Sequence, residues 1–254
     1  MSFSLDGRVA LVTGSTAGLG KAIALRLGQG GAKVALNYNN NESRAKEALA
    51  ELKDNNCQAI IVRGNVTQED DVTAIYDEIS AQLGAVDILV VNAAGIHPQI
   101  PFEKHTWQDF QTAIDFFIKS PFLLTRACLP AMKKQKQGRI INISSDVFFR
   151  SVNNFSAYVT AKGGQVGFTR SMATELAPFG ITVNTVAPGW IPVERHISEL
   201  NFEQKKEIYE TTRIPMKRMG VPQDIAEAVF YFASLESGFV TGQYLCVNGG
   251  MTLM

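Results

Sequence analysis

The sequence predicts an α/β protein built on a doubly wound parallel sheet in a single domain. Its 254 residues suit one large domain with a sizeable core. Short apolar runs without strict alternation are typical of strands that are covered on both faces. These runs alternate with longer amphipathic segments, and strand–helix alternation of this kind indicates a parallel sheet with helical crossovers.

The elements are expected in the following order. The strand candidates are residues 8–12, 33–38, 59–63, 86–92, 139–144, 181–186 and 244–247. The helical candidates are residues 20–29, 42–54, 69–83, 106–136, 156–179 and 222–235. Asn40 or Asn41 is suited to cap the second helix, and Thr67 with Asp70 resembles a capping box before the third. Residues 190–218 interrupt the alternation with a helical insert, which we expect to form a substrate lid at the carboxyl edge of the sheet.

The composition argues against several kinds of partner. Lys plus Arg and Asp plus Glu both number 24, so there is no electrostatic case for nucleic acid or an anionic membrane. No apolar stretch approaches the ~18 residues of a spanning helix, and no secretory signal is expected. Cys57, Cys128 and Cys246 are odd in number and far apart, which fits reduced thiols in the cytoplasm, and no spacing suggests a metal.

A glycine-rich turn, TGSTAGLG at residues 13–20, joins the first strand to the first helix. Glycines let the backbone approach a pyrophosphate closely, and a helix N-terminus offers N–H groups and a positive dipole end. Such a turn can be purely structural, but its position after the first strand favours a dinucleotide. The spacing G-x-x-x-G-x-G lacks the lysine of a nucleotide-hydrolysing P-loop.

Tyr158 and Lys162 are separated by one helical turn, which puts a phenol and an ammonium on one face. A phenol titrates near ~10 in water, and a neighbouring cation lowers that pKa toward the range useful for acid–base catalysis. Ser145 follows the strand predicted at 139–144, at the edge where sites form in such sheets. An isolated Tyr–Lys pair of this spacing usually lies on the surface by chance and has no function. The presence of the serine and the glycine-rich turn makes that interpretation much weaker.

Together these motifs resemble the short-chain dehydrogenase/reductase family, especially the branch of 3-oxoacyl-carrier-protein reductases and sugar dehydrogenases. The resemblance is carried in chain order by the glycine-rich turn, Asn92-Ala93-Ala94-Gly95, Ser145, Tyr158 with Lys162, Pro188-Gly189 and Asn248-Gly249-Gly250. It covers the whole chain, and the motifs are specific only jointly. It implies a Rossmann-type fold and an enzyme that moves a hydride between NAD(P) and a carbonyl or secondary alcohol.

The resemblance also implies roles for single residues. Tyr158 would be the general acid or base, Lys162 would bind the nicotinamide ribose and lower the tyrosine's pKa, and Ser145 would hold the carbonyl oxygen. The residues expected around the cofactor, besides Tyr158 and Lys162, are Gly14, Ser15, Thr16, Gly18, Leu19, Gly20, Tyr38, Asn39, Asn65, Val66, Asn92, Ala93, Gly95, Pro188, Gly189 and Ile191. Family members pair the helices expected at 106–136 and 156–179 between subunits, which implies a homo-tetramer.

Three positions depart from the family pattern. Phe117 stands where an asparagine usually helps to hold a proton-relaying water, so that role is not carried over. Val193 replaces a frequent threonine, and Asn65 replaces the usual aspartate beside the adenine, although its carboxamide oxygen could still accept a hydrogen bond. Either the departures are tolerated in an active enzyme, or the activity is slow, specialised or partly lost.

The second strand ends in Asn37-Tyr38-Asn39-Asn40, without the carboxylate that NAD-specific members present to the ribose. Its absence favours NADP, with NAD as the alternative, although no cation for a 2′-phosphate is evident because Ala17 stands where an arginine is common. The substrate pocket is expected to be aromatic, with the lining Phe148, Phe149, Phe155, Trp190, His97 and His196. A structural or solvent-facing role is expected for His97.

The residues do not choose among a hydrophobic ketone, a 3-oxoacyl thioester and a sugar derivative as the small-molecule substrate. One alternative is an NAD-dependent sugar or polyol dehydrogenase. Another is a weakly active dinucleotide-binding sensor, which Phe117 and Val193 favour. The complete set of Ser145, Tyr158 and Lys162 argues against a pure sensor, because binding alone does not need it.

Overall fold

The structure is a computed structural model, and it describes residues 3–197 and 200–253. Within these ranges a seven-stranded sheet has the order β3-β2-β1-β4-β5-β6-β7, and every neighbouring pair is parallel. The strands are β1 Val9–Val12, β2 Lys33–Tyr38, β3 Ala59–Arg63, β4 Ile88–Val91, β5 Gly138–Ile143, β6 Ile181–Pro188 and β7 Tyr244–Val247. The strand order reverses between β1 and β4, which creates the crevice in which doubly wound sheets bind ligands.

Helices cover both faces of this sheet. They are α1 Gly18–Gln29, α2 Glu42–Asp54, α3 Glu69–Gln82, α4 Trp107–Ile114, α5 Ser120–Gln135, α6 Val147–Arg150, α7 Ser156–Leu176, α8 Glu194–Ile197, α9 Phe202–Ile208 and α10 Pro222–Ala233. Segments of 3-10 helix lie at Phe102–Lys104 and Ala177–Phe179. Segments of π-helix lie at Asp115–Lys119 and Tyr209–Arg213. No helix in the described ranges is both long enough and apolar enough to cross a membrane.

Two apolar layers hold the sheet between the helices. Alternate side chains of β1 separate into them: Ala10 and Val12 belong to one layer, and Val9 and Leu11 to the other. The first layer includes side chains of α1 and α10, and the second includes side chains of α3, α5 and α7. Complete burial of one leucine such as Leu27 stabilises the fold by about 1.5–3 kcal/mol.

The predicted doubly wound parallel sheet is confirmed, and the strand and helix bounds agree with the prediction to within two residues at most ends. Asn41 caps α2, because its side-chain oxygen accepts a hydrogen bond from the Arg44 N–H at 2.9 Å. The expected capping role of Thr67 is wrong. Gln68 precedes α3, and Thr67 instead donates both its N–H and its hydroxyl to Asn65.

The helix predicted at residues 106–136 is divided by a π-helical segment. Thr106 and Asp109 form a capping box at the start of α4. Pro121 has no N–H to donate to the carbonyl of Phe117, so one α-helical hydrogen bond is missing at the start of α5. The Ser120 N–H bonds to Asp115, five residues back, which defines the π turn. Phe117 therefore lies on the local irregularity, buried to 2% exposure.

Candidate active site

The carboxyl ends of β1, β4, β5 and β6 open into a single cleft of about 1760 Å³. A smaller pocket of about 390 Å³ adjoins it at the end of β2. Gly14, Thr16 and Ala17 border both spaces, so the glycine-rich turn lies between them. The cleft follows the crevice expected of the sheet topology, and it brings together motifs that are far apart in the sequence.

The glycine-rich turn is packed so closely that side chains are excluded. A Cβ on Gly20 would lie 2.4 Å from the Gly14 carbonyl oxygen and 2.5 Å from Nδ2 of Asn92. Gly14 has a φ of +59°, and a Cβ there would lie 2.9 Å from the Cα of Ala93. This packing leaves the backbone of the turn as the surface of the cleft.

Asn37 and Thr13, the first residue of the turn, hold this turn in place, and neither was among the single residues expected around the cofactor. Asn37 is buried in β2, its oxygen accepts from the Gly14 N–H at 3.3 Å, and its Nδ2 donates to Gly64 at 3.1 Å. The hydroxyl of Thr13 accepts from the N–H groups of Asn92 and Ala93 at 2.9 and 3.0 Å. A polar residue inside an apolar strand, as Asn37 is, was the available signal, since buried amides require hydrogen-bond partners.

The N-terminus of α1 faces the cleft, and the carboxylate of Glu194 is hydrogen-bonded to it. Ala17 caps the helix without a side-chain hydrogen bond, and its first turn contains no acidic residue. Oε1 of Glu194 accepts a hydrogen bond from the Gly18 N–H at 3.4 Å. Exposed N–H donors and a positive dipole end fit a pyrophosphate, and the glycine packing gives such a group room to approach.

The other expected cofactor residues fall into three groups. Those on the large cleft are Thr16, Gly18, Leu19, Gly20, Asn92, Gly95, Pro188, Gly189 and Ile191. Those on the smaller pocket are Tyr38, Asn39, Asn65, Val66 and Ala93. Ser15 lines neither space, because it is fully buried and its hydroxyl donates to the Val12 carbonyl at 2.7 Å.

Asn65 is engaged differently from the expected contact with an adenine. Its carboxamide oxygen already accepts from the N–H of Thr67 at 3.1 Å and from the hydroxyl of Thr67 at 2.9 Å. These two bonds use both lone pairs of the oxygen. The arrangement therefore favours a role for Asn65 in shaping the pocket wall over acceptance of a bond from a base.

Ser145, Tyr158 and Lys162 all line the cleft. Lys162 is 2% exposed, and its Nζ donates to the Ile143 carbonyl at 2.8 Å and to Oε1 of Gln165 at 3.2 Å. Nζ also lies 5.5 Å from the ring centroid of Tyr158. Burial lowers the pKa of the Lys162 ammonium well below its ordinary value, because the charged form loses hydration.

Aromatic rings enclose Tyr158. Phe155 stacks on it at 4.5 Å between centroids, and Phe117 and His97 each approach within 5.2 Å. His97 also lies 4.9 Å from the Phe117 ring, so it belongs to this aromatic group on the cleft wall. Rings around a phenol exclude water and strengthen the effect of a nearby charge on it.

The strand end that carries Ser145 is fixed by Tyr244, which the sequence reasoning did not assign to the site. The Tyr244 hydroxyl donates to the Ser145 carbonyl oxygen, and it lies 3.4 Å from the Ser144 hydroxyl. Burial raises the pKa of Tyr244 to about 12, so this group stays a hydrogen-bond donor. The Ser145 hydroxyl itself accepts from the Val147 N–H at 3.4 Å.

Comparison with known proteins shows the family. The family model described as enoyl-(acyl carrier protein) reductase matches residues 14–252. The 3-oxoacyl-[acyl-carrier-protein] reductase FabG of Vibrio cholerae is 40% identical, over 99% of this chain and 100% of that protein. The 2-dehydro-3-deoxy-D-gluconate 5-dehydrogenase of Formosa agariphila is 35% identical, over 98% of this chain and 94% of that protein. The chain belongs to the short-chain dehydrogenase/reductase family.

A solved structure agrees with this assignment. A protein from Agrobacterium tumefaciens, provisionally described as a gluconate dehydrogenase, superimposes with a TM-score of 0.91 at 32% identity and covers 99% of both chains. The present short-chain dehydrogenase/reductase is thus an oxidoreductase that acts on CH–OH and C=O groups with a nicotinamide cofactor. No three His, Cys, Asp or Glu side chains form a metal-binding group within residues 3–197 and 200–253.

The substrate end of this short-chain dehydrogenase/reductase differs from the expected aromatic pocket. Phe155, Trp190, His97 and His196 line the cleft, but Phe148 and Phe149 do not. The short helix α6 turns Phe148 toward Gly163 and Phe149 toward Tyr244, 5.0 Å between ring centroids. It presents Arg150 to the cleft instead.

Arg150 is held by the buried carboxylate of Asp146. Its guanidinium donates to Oδ1 of Asp146 at 2.9 Å, and the other carboxylate oxygen accepts from Asn248 at 3.2 Å. Lys205 and Arg213, which belong to residues 190–218, also line the cleft. The substrate end of the cleft therefore carries three cationic side chains that the sequence reasoning did not assign.

Proposed function

We propose that this protein is an NADPH-preferring ketone reductase, with a 3-oxoacyl thioester or a related ketone as substrate, in which Ser145, Tyr158 and Lys162 are the catalytic residues. The observation that carries the proposal is that these three side chains border the same cleft as the glycine-rich turn and the N-terminus of α1. A reacting carbonyl between Ser145 and Tyr158 would then lie in the space that a dinucleotide shares.

Each catalytic residue has a distinct proposed role. Tyr158 donates its phenolic proton to the carbonyl oxygen in reduction and removes the alcohol proton in oxidation. Lys162 supplies the positive charge that favours the phenolate, and Ser145 donates a hydrogen bond to the substrate oxygen. A bound nicotinamide dinucleotide supplies the hydride in reduction and accepts it in oxidation.

The cofactor is proposed to lie along the glycine-rich turn. The N–H groups at the start of α1 would bind the pyrophosphate. Asn92 and Gly95 would flank the adenosine ribose, and Pro188, Gly189 and Ile191 would back the nicotinamide. The adenosine end would lie in the smaller pocket, between Tyr38 and Val66. Residues 190–218, which contain α8 and α9, are proposed as a lid within a single domain of residues 1–254.

The preference for NADPH rests on Arg44 and on the neutral residues around it. Arg44 in the first turn of α2 borders both the smaller pocket and the main cleft, beside Asn39 and Asn40. A guanidinium can bind a phosphate through two parallel hydrogen bonds. Tyr38, Asn39, Asn40 and Asn41 are neutral, so the wall that these residues form contributes no charge that would repel a 2′-phosphate. NAD remains the alternative cofactor.

A second candidate is a dehydrogenase of sugar acids, which the cations of the cleft favour. Arg213, and the N–H groups of Arg150 that are not bonded to Asp146, could hold a substrate carboxylate, whereas a neutral polyol would gain little from them. Initial rates with a panel of 3-oxoacyl thioesters, neutral sugars and sugar acids, each with NADPH and NADH or their oxidised forms, separate the candidates.

We also propose a homo-tetramer in the cytoplasm. Trp107 and Phe122, in α4 and α5, are 70% and 47% exposed, and Leu245 in β7 is 39% exposed. Apolar side chains of this size on two separate surfaces suit two subunit interfaces. The cytoplasmic location is supported by three cysteines that form no disulfide with one another.

Replacement of Tyr158 by phenylalanine tests the proposed function. Tyr158→Phe keeps the stacking on Phe155 but removes the transferable proton, so kcat should fall by about 10²–10⁴-fold. Cofactor affinity, measured by fluorescence titration, should change little. Tyr231→Phe on α10 is the matched control, because Tyr231 lies outside the cleft. Retention of most of the wild-type rate in Tyr158→Phe would refute the proposed chemistry.

A further inference from the structure

The Lys162 ammonium is surrounded by three groups inside the protein. The Ile143 carbonyl oxygen lies 2.8 Å from Nζ, Oε1 of Gln165 lies 3.2 Å away, and the ring centroid of Phe117 lies 3.6 Å away. An ammonium has three N–H donors and no acceptor. Two oxygens and the negative face of an aromatic ring are all groups that attract a cation.

Gln165 belongs to the most deeply buried part of this arrangement. It is 1% exposed and follows Lys162 by three residues on the face of α7 that packs against the sheet. A carboxamide in this position costs several kcal/mol unless it is hydrogen-bonded, whereas an apolar side chain would carry no such cost. The oxygen of Gln165 accepts its hydrogen bond from Lys162. The bond to Lys162 therefore gives this buried oxygen the hydrogen-bond partner that it requires.

In the part of the chain that the structure describes, no carboxylate compensates the charge of Lys162. Among the described residues, Nζ forms no ion pair, and the titratable groups near it are Tyr158 on its own helix and His97, whose ring touches Tyr158 and Phe117. The π segment contributes Phe117, and β5 contributes a carbonyl group. Burial alone favours the neutral amine, so the oxygen of Gln165 and the Phe117 ring act against it.

We propose that Gln165 is a positioning residue that keeps the Lys162 ammonium charged and close to Tyr158. In this chain, which lacks the family's asparagine, Gln165 and Phe117 together stabilise the ammonium of this lysine. The inference deepens the proposed function, because a charged Lys162 is what makes Tyr158 a usable acid and base. Gln165 does not line the cleft, so it acts through Lys162 and not on the substrate.

Substitution of Gln165 separates this role from simple packing. Gln165→Met keeps the length of the side chain and removes the acceptor oxygen. Gln165→Glu keeps an oxygen at the same reach and adds a negative charge. Thr169→Val is the matched control, because Thr169 is equally buried one turn further along α7, and its hydroxyl bonds to Asn142 and Thr185 instead of Lys162.

The direct measurement is the titration of Lys162 by NMR of protein labelled with ¹⁵N-lysine, without substrate. Loss of a hydrogen bond to a charged group should lower the pKa of Lys162 by about one unit or more in Gln165→Met. Gln165→Glu should raise this pKa, and Thr169→Val should leave it unchanged. An unchanged titration in a folded Gln165→Met protein would overturn the proposal. If that variant does not fold, an unchanged titration in Gln165→Glu does the same.

The kinetic consequence is a shift in the pH profile of alcohol oxidation. A neutral Lys162 no longer lowers the pKa of Tyr158, so the midpoint of the rise in kcat should move to higher pH in Gln165→Met. KM for the alcohol should change little. If Tyr158→Phe were to keep its activity, the proposed function would fail, yet the NMR titration would still decide whether Gln165 supports the charge of Lys162.

Discussion

Arg44 stands in the first turn of α2, where Asn41 fixes its backbone and its side chain borders two pockets. The Asn41 oxygen accepts from the Arg44 N–H at 2.9 Å, which sets where the helix begins. The side chain of Arg44 borders the same pocket as the end of β2, although it lies outside the glycine-rich turn, in which Ala17 replaces the common arginine. Under the proposed preference for NADPH, selectivity for a phosphorylated ribose would depend on a helix start as well as on a strand end.

We expect Arg44→Gln to weaken NADPH binding by about 10–100-fold and NADH binding by less than about threefold, because only NADPH carries the additional phosphate. Fluorescence titration with both cofactors measures this. Lys53→Gln, at an exposed position near the other end of α2, is the matched control for loss of one positive charge. Equal losses for the two cofactors would show that Arg44 does not recognise the phosphate.

The site residues that belong to a sequence motif were predictable. Those that reach the cleft only because of the direction of a short turn or helix were not. Ser145, Tyr158 and Lys162 follow from strand ends and helical spacing, and they share the cleft. Arg150 was missed because α6 is only four residues long, and its direction decides that Arg150, and not Phe148 or Phe149, faces the cleft. The contact between Phe117 and Lys162 requires two helices to meet, which no pattern within one helix contains.

At the scale of elements, hydrophobic periodicity predicted the helix over residues 106–136 but not its division. Periodicity reports which side of a helix is buried, and a π turn changes that only locally. Pro121 was the available signal, because a proline inside a helix removes one backbone hydrogen bond. The capping of α3 was also mispredicted, since Thr67 bonds backward to Asn65 and leaves the helix start uncapped by a side chain.

The glycine-rich turn yields a prediction about its own packing. Gly20→Ala would bring a methyl group to 2.4 Å from the Gly14 oxygen, so the turn must shift. We expect a loss of about 1–3 kcal/mol in the free energy of unfolding, together with much weaker cofactor binding. Urea unfolding and cofactor titration measure the two effects.

Gly167→Ala on α7 is the matched control for that experiment. No atom lies within 4 Å of a Cβ added at Gly167, so this variant should be neutral or more stable by up to about 1 kcal/mol. Similar stability and cofactor affinity in both variants would contradict the importance of close packing at Gly20.

At the scale of the whole molecule, the sheet was the most predictable feature. A parallel strand buried on both faces is an apolar run of limited length, and the crossover rules leave few possible strand orders. The segment over the cleft was least predictable, because its elements pack by single contacts such as Trp190 on Tyr209, 4.6 Å between ring centroids. Sequence reasoning located this insert but not the two helices and the π segment that it contains.

The expected tetramer depends on exposed apolar surfaces of the long helices. Static light scattering at micromolar concentration should give four times the chain mass of 27.7 kDa. Phe122→Glu should reduce this mass, because a carboxylate placed in an apolar interface is costly. Ile208→Glu, at an exposed position of α9, should leave it unchanged. A monomeric mass for the wild type would refute the assembly.

The bond from the Gly18 N–H to Glu194 has a consequence for the rate at which the cofactor enters. A pyrophosphate bound at the start of α1, as proposed, would require the same donor as this carboxylate, so the conformation with this bond would not accept the cofactor fully. Association should then be gated: in stopped-flow fluorescence, the observed rate should level off at high NADPH concentration, at the rate with which Glu194 leaves. The carboxamide of Glu194→Gln accepts more weakly from an N–H group, so this variant should raise the limiting rate. It should also lower the apparent Kd for NADPH, because a larger fraction of the molecules has the Gly18 N–H free of this contact. A rate that rises linearly with NADPH in the wild type would show that the contact opens too fast to matter.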